Sequence, residues 1–288
     1  MLTNRKLGIV VLNYRTYQDA IICVDDLLAQ DYENIEIIVV DNASPNDSYQ
    51  ILLQKYAETP RVTVLATSHN LGFARGNNVG IRYARQKFAC NFVFVLNSDT
   101  EIKDTGFCRR ILEEYQEGCG VLNPAVKVPS GEWQWIAGGF SLNLVKSTIK
   151  AFLGYFWVAF KESLHLNIVL SKKTEIEESA EKKRDSHYII QGCAYILTPD
   201  FFKYYMQIFP GTFLYDEELA LAWYLKKAGL YTYTTKNSWL LHKGGGSTGG
   251  PLKPLRMLRL ELQSFFHILP MTFLSQEKIR RKYSKEEV

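Results

Sequence analysis

The feature that most constrains the fold is an alternation running through the first 116 residues. Uninterrupted apolar runs, LGIVVLNY at 7–14, IEIIVVDNAS at 35–44, RVTVLATS at 61–68 and FVFVLNSDT at 92–100, are separated by helical patterns over 17–30, 48–57, 73–88 and 105–116. A strand that is apolar on both faces must be covered on both. Helices interposed between such strands do this when the strands run parallel. The pattern therefore predicts an α/β fold with a mostly parallel sheet.

Beyond residue 120 the alternation breaks. VLNPAVKV, WQWIAGGFS and HYIIQGCAYILT read as short strands joined by turns, a smaller mixed or antiparallel region. Residues 145–185 have no clean period. An aromatic patch, AFLGYFWVAF, gives way to the mixed-charge run SKKTEIEESAEKKRDS, read as a solvated helix or an insertion. A helix is expected over Glu217–Ala228, closed by Gly229 as its C-cap, then the strand YTYTTKNSWLLH and the glycine-rich KGGGSTGG.

Composition removes several classes of function. With 34 basic and 30 acidic side chains the net charge is only +4, too mild to argue for a nucleic-acid partner. The five cysteines are odd in number and form no CxxC pair, which predicts reduced thiols buried as small hydrophobes. No secretory apolar region precedes the first strand, so a bacterial-type cytoplasm is the expected location. The aromatic patch and the basic C-terminus fit either a peripheral contact with the inner face of the plasma membrane or a core or homodimer surface.

In an open α/β sheet, ligands bind beyond the carboxyl ends of the strands. Here those ends turn polar together: Asn13-Tyr14, Asp41-Asn42-Ala43-Ser44 and Asn97-Ser98-Asp99. One acidic strand end would be an ordinary cap for the next helix; several together favour a ligand site. No GxGxxG or Walker sequence follows the first strand, so glycine-rich amides are not the phosphate cradle. A divalent cation on Asp99, with Asn97 as a neutral oxygen neighbour, would neutralise a diphosphate instead.

A second constellation is Asp216-Glu217-Glu218 at the start of the 217–228 helix. Charge at the positive end of the helix dipole is the simpler reading. Three adjacent carboxylates exceed that need, and Glu218 shares a stripe with Leu221, Ala222 and Leu225 that turns it inward. Such a carboxylate should have a raised pKa, as a general base requires. Further along, HNLGFARGNNVG at 69–80 places Gly72, Gly76, Asn77 and Asn78 where backbone can approach a polar ligand. His242 opens the glycine loop.

Taken in order, VVLNYRT, VVDNAS, NLGFARGNN, LNSD, QGCAYIL, FLYDEEL and HKGGGST resemble family 2 glycosyltransferases of the GT-A fold, specifically the rhamnosyltransferase-like branch. The resemblance spans roughly residues 5–125 and 188–250. It implies a Rossmann-like, mostly parallel sheet flanked by helices. A GT-A domain would occupy 1–250, with a nucleotide-sugar half at 1–120 and an acceptor half at 121–250. A basic amphipathic helical extension would follow at 251–288. It also implies roles. Asp41 would accept a hydrogen bond from the donor's pyrimidine base, Asn13 would be a further substrate-binding residue, and Asn70, Gly72 and Asn78 would border the nucleotide-sugar pocket. Asn97 and Asp99 would stand at the metal motif, with His242 as a further metal or phosphate contact to Mg2+ or Mn2+. Glu217 and Glu218 would be the catalytic acids, Glu218 the base, and Gly192 would leave room for the acceptor. Asn97 stands where relatives have a first Asp, and Ala220 where a further Asp is common.

The function this implies is inverting transfer of a sugar, with dTDP-rhamnose as donor, to a hydroxyl of a glycan or lipid-linked acceptor in bacterial surface polysaccharide synthesis. Two other readings stand beside it. One is a nucleotide-sugar-binding partner subunit without transferase activity. The other is a nucleotidyltransferase, which should carry a glycine-rich basic loop where this chain has LNYRTYQ.

Overall fold

The computed structural model describes residues 5–134, 144–163, 190–244 and 254–284. One sheet of eight strands organises them, in the order β3-β2-β1-β4-β7-β6-β8-β5. Its first half is the parallel one: β1 (Leu7–Asn13) pairs in parallel with β2 (Ile35–Asp41) and with β4 (Phe92–Asn97), and β2 with β3 (Val62–Ala66). The order reverses at β1, so a crevice opens beyond the ends of β1 and β4.

Alternation within β1 shows why both faces must be covered. Ile9 and Val11 pack with α1 (Tyr17–Leu28), while Val10 points into the opposite core with α3 (Phe73–Phe88). Helices α2 (Ser48–Tyr56) and α4 (Phe107–Glu113) complete the first layer. All five cysteines are free and buried, and burial pushes the Cys23 thiol up to about 12, so it stays protonated.

The second half is mixed. β7 (Ala194–Leu197) runs antiparallel to β4 and to β6 (Cys119–Lys127), and β8 (Tyr231–His242) runs parallel to β6. The β6–β8 register slips between Asn123 and Ala125, where Pro124 has no N–H for the ladder. FVFVLNSDT is not one strand. The chain breaks at Ser98-Asp99, and β5 (Thr100–Glu101) leaves its neighbour to pair antiparallel with the end of β8. HYIIQGCAYILT contributes only β7 among the described residues. From WQWIAGGFS, Trp133 bridges to Lys127 and the Gln134 N–H donates to the Val126 carbonyl, while residues 135–141 lie outside the described residues.

Residues 144–163, which lacked a clean period, form the 20-residue helix α5 (Leu144–Ser163). It lies against α8 (Pro254–Ile268). Helices α6 (Pro199–Tyr204), α7 (Glu217–Ala228) and α9 (Gln276–Tyr283) close the α3 side of the sheet. The expected bounds of α7 and its left-handed Gly229 cap (φ 70°) are both present. The charged run at 171–186 and the glycine loop at 245–250 lie outside the described residues.

Candidate active site

The first wall of the crevice is made by the ends of β1 and β2. Asp41 is almost fully buried; its Oδ2 accepts from Asn13 Nδ2 at 2.8 Å and its Oδ1 from the Ser44 backbone N–H at 2.9 Å. Asn13 leaves its own Oδ1 buried without a partner. Arg15 (φ 75°) and Ala43 (φ 55°) adopt left-handed backbone just past these strands, an uncommon conformation for residues with a Cβ. The Ser44 hydroxyl holds the first of them by accepting from the Arg15 N–H at 2.8 Å.

Asn42 organises the next loop and was not among the expected site residues. Its side chain donates to Asn70 Oδ1 (3.1 Å) and the Gly72 carbonyl (3.2 Å), and accepts from the Leu71 N–H (2.9 Å). Each such buried hydrogen bond is worth about 1 kcal/mol net and considerably more to leave unmade. Gly72 (φ 79°) is required here twice over: a Cβ would be strained by the backbone and would press on Phe213. The next N–H, of Phe73, donates to the Phe213 carbonyl at 2.7 Å, which fastens this loop to the segment leading into α7. Asn78 is turned away from the loop. Both ends of its amide are engaged by the Ile208 backbone, at 2.9 and 3.0 Å, so it ties α3 to the 206–210 segment.

The second wall is the lip formed by β4, β5 and β8. Pairing of Thr100 with His242 brings His242 Nε2 within 3.4 Å of Asp99 Oδ1. Burial works against charge on the imidazole, but hydrogen bonds to Asp99 and the Cys193 sulfur outweigh it and raise the His242 pKa to about 10. Lys243, the next residue, pairs with Asp19 of α1 at 2.8 Å and with Glu101 at 3.0 Å, which holds this strand end against the first layer.

No group of three or more His, Cys, Asp or Glu side chains arranged for a metal occurs among the described residues. Asp99 and His242 nevertheless fit a hard divalent cation that completes its shell with waters and phosphate oxygens, as Mg2+ ordinarily does. For His242 to ligate, it must first lose its proton. As an imidazolium it is instead a direct counter-charge for phosphate.

Facing this lip is the first turn of α7. It starts abruptly: Tyr215 (φ 75°) and Asp216 (φ 64°) are both left-handed, so the chain enters the helix at a sharp angle. That angle packs three carboxylates together. Glu217 and Glu218 keep part of their surface open yet are enclosed on most sides by protein, and Asp216 Oδ2 and Glu217 Oε1 are buried without partners. Burial is the main cause of raised pKa values throughout. Asp216 rises to about 7, helped by Glu261 of α8 and by Glu218. Glu217 is pushed well up by burial and then by Glu218, and Glu218 is raised by burial. The inward-turned acid expected from the sequence is present; the contribution of Glu261, from a helix distant in the chain, had no local signal.

One short turn joins the two walls. A Cβ built on Gly192 would overlap Glu218 Oε1 and lie 2.7 Å from its Cδ, so the space a side chain would fill is occupied by the carboxylate itself. The following residue, Cys193, accepts from the Asn97 N–H at 2.8 Å through its carbonyl and contacts His242 through its sulfur. Gln191 donates to the Gln134 carbonyl at 3.0 Å, and the Gln134 side chain meets His242 Nδ1 at 3.1 Å. Residues 191–193 thus touch the acid cluster on one side and the Asp99–His242 lip on the other.

Two expectations follow directly. Gly192→Ala should displace the Glu218 carboxylate by an ångström or so and lower turnover about a hundredfold with little change in donor affinity. Adding Glu218→Asp, shorter by one methylene, should restore part of that loss; additive losses in the double variant would count against the contact. The second concerns pH. Because the Asp216 pKa is raised in the folded chain, its proton stabilises the fold. That contribution is complete below the ordinary carboxylate range and is lost as pH rises through about 7. Asp216→Asn, which tolerates the same left-handed backbone, should raise the melting temperature by several degrees at pH 8 and hardly at all at pH 4. The charged carboxylate costs on the order of 4 kcal/mol at the upper limit.

A parallel half-sheet with polar strand ends, extended by antiparallel strands and by a helix whose first turn sets a carboxylate cluster across the crevice, is the architecture of GT-A glycosyltransferases. Residues 8–202 match the family described as Glycosyl transferase family 2. The chain belongs to that family. Among curated proteins it is similar to glycosyltransferase GlyG of Streptococcus pneumoniae, 33% identical over 98 residues, which are 34% of this chain and 31% of GlyG. It is also similar to the low-salt glycan biosynthesis hexosyltransferase Agl10 of Haloferax volcanii, 30% identical over 96 residues, 33% of this chain and 28% of Agl10. The matched segments thus span about a third of those relatives. S. aureus TarS 1–349, solved with UDP, shares the fold at a TM-score of 0.54 and 14% identity, over 83% of this chain and 61% of that one.

Proposed function

We propose that the protein transfers a sugar from a nucleoside-diphosphate donor to an acceptor hydroxyl by single displacement with inversion, Glu218 acting as the general base. The observation that carries this reading is the 191–193 turn, which sets an enclosed carboxylate of raised pKa against the same few residues that support the Asp99–His242 lip. The donor's base and ribose would lie along Asp41, Asn13 and the Asn70–Gly72 loop, and its diphosphate would reach the lip. Asn97 and Ser98 shape that lip through the backbone, and Lys243 braces it through Asp19 and Glu101. Asp99 and His242 would hold Mg2+ or Mn2+, which supplies electrostatic relief for the charge on the leaving diphosphate.

Opposite them, Glu218 accepts the proton of the attacking hydroxyl. Burial raises its basicity, and Gly192 holds it in place. Glu217 and Asp216 share the same pocket, where burial first and Glu218 in part raise their own pKa values. We read the donor as dTDP-rhamnose and the acceptor as a bacterial surface polysaccharide or lipid-linked glycan, assembled on the cytoplasmic side. This rests on the branch that the sequence motifs resemble.

The test is to incubate the protein with candidate nucleotide sugars, with and without oligosaccharide acceptors, and to measure the nucleoside diphosphate released. Release with dTDP-rhamnose that requires acceptor supports the reading. Tight donor binding with no release under any acceptor would favour a binding subunit, the reading that Ala220 and the single acid of Asn97-Ser98-Asp99 make open to test.

A further inference from the structure

The proposed chemistry leaves one large feature unused. Helix α5 presents Ile149, Phe152, Leu153, Phe156, Trp157 and Phe160 to solvent, with Leu153 62% and Trp157 60% exposed. These positions recur every three to four residues and form a continuous stripe about three turns long. The other side of the helix is accounted for: Leu144, Thr148 and Val158 are buried, and α5 packs on α8. An apolar stripe of this size left to water is unusual for a folded chain and marks a surface that is covered in use.

Charge chooses among possible covers. Lys150 and Lys161 flank the stripe along one edge, Lys161 with its ammonium 4.9 Å above the Trp157 ring. No carboxylate of the described residues interrupts the stripe. Were a second copy to dock on this face, these lysines would approach like charges with no acid on the face to receive them. An anionic lipid surface meets the pattern better: aromatic rings enter the headgroup boundary, and lysine stems lie along it with their ammonium groups among the phosphates. No helix among the described residues is long and apolar enough to cross a membrane, so this contact lies in the plane of the surface.

We propose that the exposed face of α5 docks the protein on an anionic lipid bilayer. The inference does not rest on the reading of the acid cluster, since it is tested without donor or acceptor.

The experiment is co-sedimentation of the full chain with vesicles of pure phosphatidylcholine and with vesicles containing a third phosphatidylglycerol, at low and high salt. Binding to the anionic vesicles that weakens with salt is expected. Phe156→Ser/Trp157→Ser should weaken it roughly tenfold or more, and Lys150→Glu/Lys161→Glu should weaken it selectively on the anionic vesicles. None of the four side chains is buried, so the variants should fold; circular dichroism checks this. Three results would overturn the proposal. One is no partition into either vesicle. Another is partition that the α5 substitutions leave unchanged. The third is a dimer in solution that Phe156→Ser/Trp157→Ser dissociates without any lipid binding by the wild type.

Discussion

Glu218→Gln is expected to reduce transfer roughly 10²–10⁴-fold, the usual contribution of a positioned general base. The substitution is nearly isosteric, so the amide fits the space against Gly192 that the carboxylate now fills. What is lost is the capacity to take a proton. Donor affinity should be unchanged, because the nucleotide loop is anchored through Asn42 and Phe213 and makes no use of the carboxylate. Removing one of three crowded acids should also raise, not lower, thermal stability near neutral pH, since Glu217 then loses its principal like-charged neighbour. A rise in melting temperature together with a collapse in turnover separates a chemical defect from misfolding. For the wild type, kcat/KM should increase with pH through an apparent value above the ordinary carboxylate range, set jointly by the coupled acids. Near-normal turnover in the variant would remove Glu218 from the mechanism.

Asp99→Ala should be the other severe change, lowering turnover roughly a hundredfold or more by weakening charge relief on the leaving diphosphate. The substitution also removes the acid facing His242, so the imidazole pKa should fall from about 10 toward its ordinary range. Titrating His242 by NMR reads that change independently of activity. In the wild type, chelation should abolish transfer and Mg2+ or Mn2+ should restore it; the residual activity of the variant should respond little to either. If chelation leaves wild-type turnover intact while donor still binds, the His242 imidazolium neutralises the diphosphate without a cation.

Much of this site is legible in the chain because it depends on local patterning. Apolar runs on alternate elements dictate a parallel sheet, and the polar residues that end those runs must then gather beyond its edge. The stripe through Glu218, Leu221, Ala222 and Leu225 likewise turns the acid inward without knowledge of what surrounds it. Long-range pairing is where legibility stops. FVFVLNSDT reads as one strand, because nothing in its sequence reveals that Thr100 will pair with His242 instead of continuing alongside β1. Gly192 was read as room for an acceptor; the structure fills that room with Glu218, a partner 26 positions away. Asn42 could have been suspected, since an Asn before the left-handed Ala43 at a strand end often binds loop backbone. Asn78 shows the reverse case, a polar residue in a suggestive motif whose amide is fully engaged by Ile208.

The central claim is that one carboxylate and one cation-holding lip, joined through residues 191–193, perform a single displacement. The most direct test is the anomeric configuration of the glycosidic bond formed from a donor of known configuration, read by NMR on the isolated product. Inversion relative to the donor is the predicted result. Retention of configuration would require a second displacement and would contradict the role given to Glu218.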